Sequence, residues 1–216
     1  MNGYGGAGTL SDGKYNITTQ FGGDLHKYVG IEEANALMEY VDSVLCSMGG
    51  KDAKLYHTSR ELKTKALQYD LHLLEAKVRH LGTDRNVEIL GKIFDYISSH
   101  IETRFYTTLD TVEKMADGTF KVTTDKGEAF YCDDLVLAAG RSGSKWISSV
   151  CDGFGIKQKK NRVDIGVRVE LPAEIFKHIT DDVYESKFVY QTDKYNDLVR
   201  TFCMNPYGEV VSENTN

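Results

Sequence analysis

Glycines near the beginning of the chain have a spacing that could hold a phosphate. Gly3, Gly5 and Gly8 match G-x-G-x-x-G, a motif that binds dinucleotide phosphates when a strand precedes it and a helix follows it. Only two residues precede Gly3, and the Ser-Asp-Gly sequence of residues 11–13 interrupts any helix, so the match is weak. Glycine-rich backbone also forms concave nests of N–H groups that hold a phosphate or a ring edge. A flexible terminus is the alternative interpretation.

A second stretch that a ligand could approach is residues 134–143. Five apolar residues, 135–139, run without alternation up to Gly140, which is typical of a strand buried on both faces of a parallel sheet. The small residues Ala138, Ala139 and Gly140 would let a ligand approach the backbone, and a helix is predicted from Lys145. This order places free N–H groups at the carboxyl edge of a sheet, where ligands bind in open α/β folds.

Single side chains offer few catalytic candidates. Ser142 follows the predicted strand as a nucleophile would, but G-x-S-x-G requires glycine where Ser144 stands, and His178 is the only histidine downstream. His80, in a polar turn with Arg79, could act as an acid or a base or could face an anion. The six histidines and four cysteines are dispersed without the spacing of a metal site, so we expect no metal.

The composition limits the class of protein. The chain has 216 residues, of which 41% are hydrophobic and 27% charged, as in ordinary soluble globular proteins. A net charge of −6 argues against nucleic-acid binding, because no surplus of basic residues exists to neutralise phosphates. No apolar run reaches the roughly 18 residues of a membrane span, and dispersed cysteines suit a reducing compartment. We therefore expect a cytoplasmic protein without a membrane or nucleic-acid partner.

Apolar periodicity predicts three helices in the first hundred residues. An i, i+3, i+4, i+7 stripe covers residues 31–48 and ends at a glycine pair. Ser59 is a possible N-cap for a second helix, and Thr83 or Asp84 could cap a third that ends near residue 101. Residues 71–76 fit either a strand or a helix, and we favour a strand.

The second half of the chain has mostly strand patterns. A strand is predicted over residues 104–108, and the Asp-Gly pair at 117–118 is a strong hairpin signal within a β-meander that ends at residue 132. Further strands are predicted over residues 163–170, 188–191, 198–204 and 209–211. A short helix is predicted over residues 173–179.

Several segments taken in order carry a resemblance to a known family. They are GGAG at residues 5–8, SDGK at 11–14, RHLGTD at 79–84, DLVLAAGRS at 134–142, IGVRVE at 165–170, RTFCM at 200–204 and GEVV at 208–211. Together they resemble a bacterial family of FAD-dependent dehydrogenases, which share the FAD-binding architecture of glutathione-reductase-like flavoproteins. The segments cover nearly the full length, and their order makes the resemblance fairly specific.

The resemblance implies an α/β fold with α+β character, an incomplete FAD/NAD(P)-binding dinucleotide fold. Residues 1–150 would form a partial FAD-binding domain with the β-meander, and residues 151–216 the start of a smaller, mainly antiparallel β lobe on the substrate side. Members of the family resemble other flavoproteins in opening with a strand and a true G-x-G-x-x-G and in closing with a Gly-Asp pair at the FAD phosphates. This sequence has neither, so we expect an internal fragment or a truncated reading frame.

The implied function is hydride transfer between a substrate and FAD, and NAD(P)H could serve as electron donor. The residues expected beside the flavin or pyrophosphate are Gly5, Gly6, Ala7, Gly8, Ser11, Asp12 and Lys14. Those expected to border the dinucleotide are Ala139, Gly140 and Arg141. His80, as an acid or base, and Cys203, beside the flavin, are weak catalytic candidates, and a buried structural role is the favoured interpretation of Cys203. The alternatives are a cofactor-free folded remnant or interaction domain and, less favoured, a serine hydrolase that uses Ser142.

Overall fold

The computed structural model describes residues 3–159 and 163–208. Contacts divide the chain into two compact units: unit 1 is Met1–Ile101 with Arg168–Asn216, and unit 2 is Glu102–Val167. The division that the resemblance implies, a partial FAD-binding domain over residues 1–150 and a β lobe over 151–216, stays a prediction. In unit 1 a segment late in the chain packs against an early one. A sequence pattern does not show such a contact.

The fold mixes α-helices with β-strands. The helices are α1 (His26–Val29), α2 (Ile31–Leu45), α3 (Arg60–Leu67), α4 (Thr83–His100), α5 (Ser144–Gly153) and α6 (Ala173–Val183). The strands are β1 (Lys14–Ile17), β2 (Leu55–His57), β3 (His72–Leu73), β4 (Lys77–His80), β5 (Leu109–Lys114), β6 (Phe120–Thr124), β7 (Ala129–Cys132), β8 (Phe188–Gln191) and β9 (Leu198–Arg200). A 3-10 turn lies at Gly6–Gly8, and a π-helical turn at Cys46–Gly50 continues α2.

The described strands form three antiparallel sheets of three strands each. Unit 1 contains the sheets β1-β4-β2 and β3-β8-β9, and unit 2 contains β5-β6-β7. In the first sheet β4 lies in the middle, with Val78 opposite both Asn16 of β1 and Tyr56 of β2. Because β4 leads into α4 after two residues, this sheet determines where α4 begins.

Unit 1 has two apolar clusters. The first packs Leu45 at the end of α2 against Leu81 and Ile89, which lie just before and within α4. The second packs Ala66 of α3 against Phe188 of β8. The first cluster therefore holds α4 against the end of α2, and the second holds α3 against its sheet.

The predicted helices of unit 1 are largely confirmed. The helix α2 and its π-helical turn cover residues 31–50, and Ser59 caps α3 by accepting a hydrogen bond of 3.0 Å from the N–H of Leu62. The predicted cap of α4 is wrong. Gly82 is the N-cap, with φ 79° and ψ 159° and no side-chain cap, a conformation that glycine adopts readily. The strand predicted over residues 71–76 is reduced to β3.

The β-meander of unit 2 is confirmed. Gly118 has φ 93° in the turn between β5 and β6, and its N–H donates to the carbonyl oxygen of Met115 at 3.0 Å. Trp146 of α5 donates its ring N–H to the carbonyl oxygen of Asp110 at 2.8 Å. The strand predicted over residues 104–108 is wrong, because Tyr106 has φ 52°, a left-handed conformation that interrupts an extended chain.

The buried parallel strand predicted over residues 134–139 is wrong. The chain forms no strand there, and Val136 is 87% exposed. A strand buried on both faces requires hydrogen-bonded neighbours and covering layers on both sides. The three antiparallel sheets of the described residues offer no parallel neighbour, so the apolar run joins none of them. The fold is therefore mixed α/β, and the dinucleotide-binding arrangement stays a prediction.

The strand predicted over residues 163–170 is also wrong. Val163, Ile165 and Val167 are 83%, 96% and 89% exposed, and the segment pairs with none of the described strands. Alternation of apolar residues indicates strand geometry, but only a neighbouring strand makes that geometry stable. The strand predicted over 188–191 is confirmed as β8, that over 198–204 is shortened to β9, and residues 209–211 lie outside the described part. No helix within the described ranges is long and apolar enough to cross a membrane.

Candidate functional site

The glycine-rich loop, residues 3–13, forms one side of the candidate site. Gly5 has φ 75° and precedes the 3-10 turn, in which the N–H of Gly8 donates to the carbonyl oxygen of Gly5 at 3.0 Å. The Ser11 hydroxyl donates to the carbonyl oxygen of Gly8 at 2.7 Å and accepts from the N–H of Gly13 at 3.3 Å. The loop therefore forms a hydrogen-bonded turn, and Ser11 supports its shape.

Asn86, in the first turn of α4, holds this loop in place. Its buried amide nitrogen donates to the carbonyl oxygens of Gly8 and Thr9 at 2.7 and 3.1 Å. Its Oδ1 accepts a hydrogen bond of 2.8 Å from the Tyr15 hydroxyl, so the buried amide is hydrogen-bonded at both ends. Sequence reasoning missed Asn86. The sequence did contain a signal for it: Asn86 stands three positions before Ile89, so a polar residue lies on the apolar stripe of a predicted helix.

The loop also meets the connection between β4 and α4. The N–H groups of Leu81 and Gly82 donate to the carbonyl oxygens of Gly13 and Asp12 at 2.9 and 3.0 Å. A Cβ on Gly13 would lie 2.9 Å from the Cβ of Asn86, so only glycine fits this close approach. The segments 5–14 and 79–84, both part of the resemblance, therefore lie side by side.

A cleft of about 510 Å³ opens beside this junction, within unit 1. It lies between the end of the loop, β2, the start of α4 and the end of α6. The side chains that matter for its chemistry are Asp12, Lys54, Tyr56, His80 and Tyr184. Titratable groups and aromatic rings therefore meet in one concave space, which is the usual setting of a small-molecule site.

His80 and Tyr184 form the central pair of the cleft. The Tyr184 hydroxyl lies 2.9 Å from Nε2 of His80, and the two rings stack with centroids 4.2 Å apart. The Tyr56 ring lies 5.4 Å from that of Tyr184, and Nζ of Lys54 lies 4.1 Å from the Tyr56 centroid. A phenol and an imidazole at hydrogen-bond distance can pass a proton between them.

Burial sets the protonation of this pair. It lowers the pKa of His80 below the ordinary value of 6.5; the charge of Asp12 opposes this effect and that of Lys14 adds to it. Burial, followed by the charge of Asp12, raises the pKa of Tyr184 to about 12. At neutral pH the imidazole is therefore mainly uncharged and the phenol keeps its proton.

Tyr184 has a strained backbone. It follows α6 with φ 57° and ψ −59°, and the N–H of Glu185 donates to the carbonyl oxygen of Val183 at 2.6 Å. These values define a γ-turn with positive φ, which is rare and strained. The buried carboxylate of Glu185 forms ion pairs with Lys14 and Lys187, which hold the turn in place. Strain of this kind persists where its surroundings impose it, and it clusters at functional sites.

The predicted cofactor residues occupy three places. The first six, Gly5, Gly6, Ala7, Gly8, Ser11 and Asp12, lie in the loop. Lys14 lies on β1, and its ammonium group pairs with the buried Glu185. Ala139, Gly140 and Arg141 are exposed in unit 2, ahead of α5.

The two catalytic candidates have different surroundings. His80 lies in the cleft, whereas Cys203 is exposed and lies outside the cleft lining. Sequence reasoning did not identify Tyr184 or Tyr56 as partners of His80, because they come from segments far apart in the chain.

The hydrolase and metal alternatives gain no support. Ser142 is exposed in the turn before α5, and residues 102–167 include no histidine, so unit 2 cannot supply a base of that type. Within residues 3–159 and 163–208, no group of three or more His, Cys, Asp or Glu side chains could hold a metal ion.

Comparison of the chain with protein-family models, with curated proteins and with solved structures gave no match. The function must therefore be argued from the residues and their geometry.

Part of the loop backbone is open around its glycines. A Cβ on Gly3, Gly6 or Gly8 would meet no atom within 4 Å, so this side of the loop is open. Asn86 holds the carbonyl groups of the loop from the α4 side. The open backbone of the loop is compatible with an approaching flavin or phosphate group, whereas Lys14, paired with a buried carboxylate, does not contribute a free charge there.

Proposed function

We propose that the chain is part of a flavin-dependent oxidoreductase that transfers a hydride between a small-molecule substrate and FAD. The observation that carries the proposal is the glycine-rich loop, which Asn86 fixes against the start of α4 beside the His80–Tyr184 cleft. The end of the loop reaches the titratable cleft through Asp12, which lines it. The resemblance of the sequence supports the same function.

Each part of the site has a role in this proposal. The backbone of Gly5, Gly6 and Gly8 approaches the cofactor closely, because these residues carry no side chain, and Ala7 of the same turn is proposed to lie beside it. Ser11 shapes the loop, and Asp12 borders both the loop and the cleft. FAD, when bound, supplies the hydride chemistry, whereas the protein supplies position and electrostatics. NAD(P)H remains a proposed electron donor.

Titration of FAD with the purified chain, followed by flavin fluorescence, tests the proposal. Gly8→Val adds a side chain on the open side of the loop, where no atom lies within 4 Å. We expect it to leave the fold intact and to weaken FAD binding by about 10-fold or more, equivalent to about 1.4 kcal/mol. Gly91→Val is the matched control, since Gly91 of α4 also has open space around it and lies outside the proposed site.

A folded chain that neither changes flavin fluorescence nor keeps flavin through gel filtration would contradict the proposal. Circular dichroism spectra of the chain and of both variants would show that the fold is retained.

A cofactor-free interaction domain is the second candidate. The observation in its favour is the exposed apolar series Val163, Ile165 and Val167, because contiguous exposed apolar surface often marks a protein contact. Folded protein without flavin affinity would favour this candidate over the first.

A further inference from the structure

The His80–Tyr184 pair can transfer a proton, and flavin binding alone gives this ability no role. Two features single it out: a hydrogen-bond distance of 2.9 Å between Oη and Nε2, and the strained turn that places Tyr184 there. The proposed hydride transfer leaves the accompanying proton without an acceptor, and this pair can supply one.

We propose that Tyr184 and His80 remove the hydroxyl proton of a small, uncharged alcohol bound in the cleft; this inference rests on the flavin-dependent function proposed above. The alcohol proton passes to Oη of Tyr184 while the Tyr184 proton passes to Nε2 of His80. The C–H hydride leaves to the oxidised flavin, and the C–O single bond becomes a carbonyl. The alcohol loses two electrons, the flavin gains them, and His80 holds the proton until solvent takes it.

The protonation states of His80 and Tyr184 suit proton transfer from the alcohol to Tyr184 and from Tyr184 to His80. An uncharged imidazole with its proton on Nδ1 accepts at Nε2, and burial favours the uncharged form. The phenol keeps its proton at neutral pH, so it can donate to His80 and accept from an alcohol at the same time. The charged and titratable groups that act on the pair are Asp12, Lys14, Tyr56 and Glu185.

The cleft favours an alcohol with an apolar body and no negative charge. Tyr56, Pro206 and Tyr207 give it aromatic and apolar walls. The Lys54 ammonium already lies over the Tyr56 ring and donates to the carbonyl oxygen of Asp181 at 3.2 Å. Asp12 also lines the cleft and would repel an anion, whereas the Asp181 carboxylate pairs with Lys177 at 3.1 Å. Benzyl alcohol has the required hydroxyl and apolar ring, and it serves as the probe.

The first measurement needs no cofactor. The ring Cε1–H signal of His80, followed by NMR against pH, reports its pKa, and addition of benzyl alcohol reports occupancy of the cleft. We expect Tyr184→Phe to raise the pKa of His80, because a hydrogen bond that favours the uncharged ring is lost. The exposed Tyr28→Phe is the control. An unchanged His80 pKa in Tyr184→Phe, or no response of His80 to benzyl alcohol, would overturn the inference.

The second measurement uses the chain loaded with FAD, after FAD uptake has been shown. We expect anaerobic benzyl alcohol to bleach the flavin, and Tyr184→Phe and His80→Gln each to slow the bleaching about 100-fold or more with FAD affinity unchanged. In the parent chain the rate should fall as acid protonates His80, and His80→Gln should lose this pH dependence. FAD uptake without bleaching would overturn this inference alone, whereas absence of FAD uptake would overturn the proposed function with it.

Discussion

At the scale of single residues, Arg79 and His80 show the limits of sequence reasoning. Arg79 was predicted to lie in a polar turn, where it could face an anion, but it lies on β4. Its guanidinium binds both carboxylate oxygens of Asp42 and donates to the carbonyl oxygen of Ala53 at 2.9 Å. Its role is structural. His80, the next residue, lies in the cleft as a catalytic candidate should, yet no sequence pattern indicates that Tyr184 is its partner.

The Arg79–Asp42 pair gives a prediction about stability. Asp42→Ala would leave a buried guanidinium without its carboxylate, and removal of one partner of a buried pair costs about 3–5 kcal/mol. Urea unfolding should show a loss of that order. Asp95→Ala, on the exposed side of α4, is the control and should change the unfolding free energy by less than about 0.5 kcal/mol. A loss no larger than that of the control would show that the pair contributes little.

His80 gives a prediction about pH. Its pKa is lower in the folded chain than its ordinary value of 6.5, so the unfolded chain binds more protons between those two values. The contribution of His80 to stability is therefore complete above about 6.5 and is lost as pH falls through the folded pKa. Urea unfolding across this range should show a smaller acid-induced loss for His80→Gln than for the parent chain. If the free energy of unfolding changes with pH in the same way for both proteins, the lowered pKa of His80 is contradicted.

At the scale of elements, local signals were reliable where the local chain alone decides the structure. The apolar stripe of α2, the Ser59 cap and the turn at Gly118 were predicted because a few neighbouring residues specify each of them. The run 134–139 was not, because a parallel strand depends on neighbours that the described sheets do not provide. The contact between the glycine-rich loop and α4 was missed for a similar reason, since it joins residues more than seventy positions apart.

The close approach of Gly13 to α4 gives a prediction for this contact. Gly13→Ala places a Cβ 2.9 Å from Asn86 at a residue with φ +63°, and backbone strain of this kind costs about 1–3 kcal/mol. Chemical unfolding should show that loss. Gly8→Ala is the matched control in the same loop, because its Cβ would meet no atom within 4 Å. Equal stability of the two variants would argue against the close contact.

At the scale of the whole molecule, the chain forms two units, and the first is discontinuous in sequence. Composition indicates enough apolar residues for compact units, but it does not specify which segments combine. Residues 163–170 illustrate the difficulty, because alternation of apolar and polar residues predicts a strand and the structure shows none there.

This segment gives a prediction for limited proteolysis. Arg168 is exposed in a stretch without regular structure, and such stretches are the preferred sites of nicking. Brief trypsin treatment, followed by mass spectrometry of the products, should detect a cut after Arg168 before any cut after Lys92, which lies within α4. Arg168→Gln should remove that cut. Early cleavage within α4 with Arg168 intact would contradict the description of the segment.

The same exposed segment has a consequence for how the protein behaves in concentrated solution. A stretch that joins none of the described sheets and carries alternate apolar side chains is a template for edge-to-edge stacking with identical stretches. Asp164, Arg168 and Glu170 interrupt the apolar residues with charge, and charges in such positions oppose stacking. These charges therefore oppose association of the chain through this segment, and pH or salt that weakens the repulsion between like charges favours such association at high protein concentration.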